Sequence, residues 1–187
     1  MNILEMRYDI KLALHVLLVV DMQPVWSNSN NKELQEQIQL LMRWSMHHGC
    51  PIIFLEYRHS ANEPTERNTQ ECLIKLVRDC DYDRYIRIPK RQTRGSDEVI
   101  LGCTEARYPT SNFLVTGVDA DACVLNTVIG LSRLRPQAAV KVVRNACRAS
   151  KEAINNDESF WQKFNTLSRN VSVCDAVTHA SSQGVFL

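Results

Sequence analysis

Six short apolar runs, separated by residues at helical spacing, constrain this chain more than any other feature of it. The runs are residues 15–20, 51–55, 85–88, 113–116, 138–143 and 171–173. Most are β-branched or leucine-rich, as strands buried on both faces must be. Between them lie amphipathic patterns. Leu34, Ile38, Leu41, Met42 and Ser45 share one helical face, and Cys72, Leu73, Leu76 and Val77 another. Val99 and Ile100 open a shorter helix reaching Ala106. Val124, Thr127, Val128, Leu131 and Leu134 form a fourth face, and Ile154, Phe160, Trp161 and Phe164 a fifth. Asparagines before Lys32 can cap the first helix, and His47, His48, Gly49 and Pro51 stop it. Pro89 closes the third strand and Gly117 ends the fourth.

Strand and helix in strict alternation predict an α/β fold. Right-handed crossovers then give a doubly wound, six-stranded, mostly parallel sheet of order 3-2-1-4-5-6 with helices on both faces. The expectation is one domain over residues 1–187, with 1–14 and 178–187 as peripheral arms that could contact another subunit. A chain of this length buries a core without disulfides or metal staples.

Composition limits the partners. The net charge is +1, which gives no field that would draw nucleic acid or a membrane surface. Seven cysteines are widely spaced, with no CxxC pair, so neither a zinc ribbon nor a thioredoxin-type motif is present. They fit reduced thiols in a reducing compartment. The N-terminal stretch lacks the pattern of a signal peptide, and residues 16–20 are too short to span a bilayer. The expected location is the cytoplasm.

In such sheets ligands bind beyond the carboxyl ends of the strands, where strand order reverses. Asp21 closes strand one, Lys90 follows strand three and Cys123 follows strand four. Strands one and four are neighbours in the expected order, so Asp21 and Cys123 meet across the crevice. Lys90 starts two strands away and must reach inward along its stem. Cys123 falls in the first turn of a helix starting near Asp121, where free N–H groups and the helix dipole favour a thiolate. Those N–H groups could also hold an oxyanion. Lys90 would favour the thiolate further, whereas Asp119 and Asp121 oppose it. Asp21 could take the thiol proton and later pass it to a leaving amine. Each residue also has an ordinary alternative: a Cys after a strand is commonly core, and an Asp at a strand end is commonly a turn residue.

Leu18-Val-Val-Asp-Met-Gln-Pro24, a lysine after strand three, and Val115-Thr-Gly-Val-Asp-Ala-Asp-Ala-Cys-Val124 with Thr127 together resemble the isochorismatase-like cysteine hydrolases. The resemblance spans residues 15 to 175. It implies a catalytic triad of Cys123, Asp21 and Lys90. It also implies a cis peptide at Val118–Asp119 that turns the Asp119 N–H toward an oxyanion, beside the Cys123 N–H. Family members cleave nicotinamide, carbamoylated amines and related C–N bonds. The branch that cleaves isochorismate typically lacks the cysteine, so Cys123 points to C–N hydrolysis of a small-molecule substrate. A homo-oligomer is implied as well; a cofactor is not.

Two departures stand out. The family usually carries a Ser-Ala-Phe-like segment after the lysine, whereas this chain reads Lys90-Arg-Gln-Thr-Arg-Gly-Ser-Asp97. Nicotinamidases place an Asp-x-His metal motif after strand two. Here the residues are Glu56-Tyr57-Arg58-His59, too few ligands for a metal site, so no metal is expected.

Trp26, Tyr57 and His59 follow strands one and two and are candidate pocket residues. Arg84, Arg87, Lys90, Arg91 and Arg94 form a basic stretch. It suits a solvated loop, or a rim on which Arg91 and Arg94 clamp a substrate carboxylate. His47 and His48 point about 100° apart on a helix and do not form a metal pair. No GxGxxG or GxxxxGK[ST] segment is present, so the nucleotide-binding fingerprints are missing. The expected activity is a hydrolase acting on non-peptide C–N bonds through a thioester. The alternatives are an inactive relative serving as an interaction or scaffold protein, and a thiol redox sensor.

Overall fold

The computed structural model describes residues 15–58 and 68–175. The expected arms at 1–14 and 178–187, and His59, lie outside the described residues. All six strands are parallel in the order β3-β2-β1-β4-β5-β6. They are β1 (His15–Val20), β2 (Ile52–Tyr57), β3 (Tyr85–Lys90), β4 (Asn112–Val118), β5 (Ala139–Arg148) and β6 (Val171–Cys174). The helices are α1 (Lys32–His47), α2 (Glu71–Asp79), α3 (Ser96–Glu105), α4 (Leu125–Leu134), α5 (Glu152–Asn155) and α6 (Glu158–Leu167). Among the described residues, no helix is long and apolar enough to cross a membrane.

Alternation along the central strands divides the core in two. Leu17 and Val19 face α1 and α2, packing on Ile38, Met42, Leu73 and Val77. Val16, Leu18 and Val20 face the other helices, packing on Val99, Val128, Leu131 and Phe164. Both faces of β1 are therefore sealed from water, and its only outlet for polar chemistry is its carboxyl end.

Four boundaries differ from the sequence expectation. Pro89 does not close β3, which runs on to Lys90; β3 is an edge strand, where a missing N–H costs no ladder bond. Gly117 does not end β4 but sits within it at φ 117°. A Cβ there would lie 2.1 Å from the Val20 carbonyl oxygen, so only glycine allows β1 and β4 to approach this closely. β5 extends past Val143 to Arg148 because a register shift between Val115 and Gly117 lets Cys147 and Arg148 pair with Gly117 and Val118. The last helical pattern is two helices, and Asp157 caps the second by accepting from the Ser159 N–H.

Candidate active site

The carboxyl ends of β1, β2 and β4, with Thr93 from the loop after β3, line one cavity of about 270 Å³. Asp21, the residue after β1, has φ 51° and donates its N–H to the Leu55 carbonyl at 2.8 Å. This turn aims the carboxylate across the sheet edge. Lys90 ends β3 and is fully buried, and its Nζ lies 2.8 Å from Asp21 Oδ2. The stem crosses β2 because Gly95 leaves room for it: a Cβ there would lie 2.8 Å from Lys90 Cδ. Nζ also donates to the Gln92 carbonyl at 3.1 Å and stands 4.8 Å over the Tyr57 ring.

Cys123 enters from β4 through a π-helical turn, Ala120–Val124, in place of the α-helical first turn expected. The Ala122 and Val124 N–H groups both bond back to the Asp119 carbonyl. The thiol comes within interaction range of the Asp21 carboxylate and the Lys90 ammonium. Asp21 Oδ1 is buried without an aligned donor. The peptide bond between Val118 and Asp119 is cis. All three candidate triad residues are thus brought together, with Val118 and Asp119 beside them in the wall.

Charge and burial oppose a resting thiolate. Burial first, then the Asp21 carboxylate, push the Cys123 thiol up to about 12, against the pull of Lys90. Burial and the Asp21 carboxylate thus work against the acidifying pull of Lys90. Burial also raises the Asp21 carboxyl above its ordinary value, opposed by Lys90. Asp121 turns away from the sulfur and accepts from the Ser150 N–H and hydroxyl at 2.7 and 2.5 Å.

Trp26 and Tyr57 line the cavity edge to face, with ring centroids 6.0 Å apart. Buried Gln23 organises both. Its Oε1 accepts from the Tyr57 N–H at 2.8 Å and the Trp26 indole at 3.4 Å, and its Nε2 donates to the Tyr57 carbonyl. Sequence reasoning quoted Gln23 only as part of a motif; a glutamine beside the end of a buried strand was the available signal. Asn28 was missed altogether. Its Nδ2 donates to Asp119 Oδ1 at 3.0 Å and to the Ala149 carbonyl at 3.1 Å, tying the Cys123 loop to the end of β5.

Arg91 and Arg94 do not join the wall. Both are exposed, and Arg94 pairs with Asp97 at 3.0 Å, so the expected carboxylate clamp does not form; Thr93 is the residue of that loop lining the cavity. Glu56 is 2% exposed and its oxygens accept from Arg58, Arg87 and Thr69. Oε1 is shared by Arg87 and Thr69 and Oε2 takes Arg58, so Glu56 is held by protein donors on both oxygens.

No protein-family model matches the chain, and no curated protein matches it in sequence. Solved structures do match. A nicotinamidase from Staphylococcus aureus superposes with TM-score 0.70 at 19% identity, over 85% of this chain and 96% of that one. An isochorismatase-like hydrolase from Alkaliphilus metalliredigens gives 0.68 at 16%, over 91% and 99%. An N-carbamoylsarcosine amidase from Thermoplasma acidophilum gives 0.63 at 14%, over 87% and 96%. The chain has the fold of the isochorismatase-like hydrolases.

Proposed function

We propose that this chain is a cysteine hydrolase that cleaves the C–N bond of a small amide or carbamoyl compound. The observation that carries the proposal is that the Cys123 thiol and the Asp21 carboxylate line one cavity while the buried Lys90 ammonium pairs with Asp21 behind them. Neighbours of the same fold that bear amidase names support the bond class.

The high thiol pKa shapes the mechanism. Sulfur attacks the acyl carbon as its proton passes to Asp21. Lys90 holds Asp21 in place and lowers the cost of negative charge on sulfur. The acyl oxygen gains charge as the carbon becomes tetrahedral, and the Asp119 and Cys123 N–H groups are its proposed donors. The C–N bond then breaks, and the nitrogen takes the proton from Asp21 and leaves as amine or ammonia. Water attacks the thioester, gives a proton to Asp21 and releases the acid, and the thiol recovers its proton. The protein works in the cytoplasm and as a homo-oligomer in this proposal.

A redox-sensor role is disfavoured, because such cysteines need an accessible thiolate. The test is ammonia release from a panel of small amides. Cys123→Ala should lower turnover by about 10³-fold or more. Equal turnover by the variant would refute the nucleophile, and no turnover of any amide by the wild type would favour an inactive scaffold.

A further inference from the structure

The cavity wall carries more negative charge than positive. Asp21 and Lys90 offset one another across 2.8 Å, and burial and Asp21 oppose ionisation of Cys123. That leaves Asp119. Its half-buried carboxylate lines the cavity, takes one hydrogen bond from the neutral Asn28 amide, and has no ion-pair partner among the described residues. Its repulsion reaches Asp21 and adds to the rise in that carboxyl's pKa. Asp21 Oδ1, also in the wall, is buried without an aligned donor. Two carboxylates therefore face a space whose enclosed cation, Lys90, is already committed to one of them.

Aromatic rings share the cavity wall with them. Trp26 and Tyr57 meet edge to face, and the Tyr57 ring already lies 4.8 Å from the Lys90 ammonium. A carboxylate and an indole lining one cavity suit an organic ammonium: the ring face attracts the cation while replacing its hydration shell with apolar contact. A substrate carboxylate would meet Asp119 instead, and the exposed Arg91 and Arg94 lie outside the wall.

We propose that this cavity selects small amides carrying a fixed positive charge, an ammonium group two or three bonds from the acyl carbon. The inference rests on the hydrolase reading above. It gives Asp119 two separate tasks: its backbone N–H faces the acyl oxygen and its side chain receives the ammonium.

The test uses three amides of similar size. Carbamoylmethyl-trimethylammonium is permanently cationic, 3,3-dimethylbutanamide is its neutral isostere, and succinamate is an anion. The kcat/KM order should be cation, neutral, anion, with about tenfold or more between the first two. Asp119→Asn should shrink that ratio to about twofold. A neutral amide equal to the cation, or a ratio that survives Asp119→Asn, would overturn the inference while leaving amide hydrolysis intact. A second readout does not depend on turnover. The cation should protect Cys123 from alkylation at pH 9 better than its isostere does, and equal protection would also overturn the inference. Hydrolysis that persists in Cys123→Ala would instead refute the hydrolase reading beneath it.

Discussion

Asp21 and Glu56 end neighbouring strands at the same edge of the sheet, and both are nearly inaccessible, yet they are built for opposite ends. Glu56 is saturated. It accepts from two guanidinium groups and from the backbone and hydroxyl of Thr69. Burial alone would raise its pKa, but those bonds prevail and hold it below its ordinary 4.5. Asp21 has one ammonium and an oxygen without an aligned donor, and burial prevails, so its carboxyl rises above its ordinary 3.8. The saturated carboxylate fixes the chain; the undersupplied one can still accept a proton. Unmet hydrogen-bonding capacity separates chemistry from structure here better than burial or residue type does.

The difference can be broken by substitution. Asp21→Asn keeps the shape and removes the proton acceptor, and should lower kcat/KM by about 10⁴-fold, measured by ammonia release from protein verified as folded by circular dichroism. Glu56→Ala should act on stability instead. It leaves two guanidinium groups uncompensated and should cost about 3–5 kcal/mol in urea unfolding. The sign of its pH dependence follows from the depressed pKa. The stabilisation by ionised Glu56 is complete above its ordinary 4.5 and fades as pH falls below that, so the wild-type advantage over Glu56→Gln should shrink in acid. Asp21, whose pKa is raised, contributes with the opposite sign: its ionisation weakens the folded state as pH rises through its pKa.

Alkylation sharpens the contrast on a smaller scale. At pH 7 exposed Cys80 should be alkylated before Cys123, and the Cys123 rate should climb about tenfold per pH unit without levelling below pH 10. Asp21→Asn should raise the Cys123 rate at pH 8 by about tenfold, whereas Glu56→Gln should leave it unchanged, as read by peptide mapping. The smallest effect belongs to the exposed Arg94. Its pair with Asp97 is more than half exposed, so Arg94→Ala should alter kcat/KM on any amide by less than about twofold.

Much of this was legible in the sequence because burial writes itself as pattern. The β1 run and the helical faces fixed the layers, and strand order followed from handedness. Positions at strand ends located Asp21, Lys90 and Cys123. The far half of β5 was not legible, because Arg144–Arg148 alternates charge with small residues and pairs only through the bulge in β4. The balance of charges around the thiol was not legible for a related reason. Spacing showed a helix start and a lysine, but not that Lys90 spends its charge on Asp21 or that the sulfur is half-buried. Nor could spacing tell that Arg91 and Arg94 point to solvent while Gln23 and Asn28 hold the walls. These are long-range contacts, and no local period encodes them.

Intact-mass spectrometry of protein quenched in acid during turnover tests the central claim most directly. The account predicts an acyl adduct that maps to Cys123 and decays as the free acid appears. Continued turnover with unmodified Cys123, or an adduct on another residue, would contradict it.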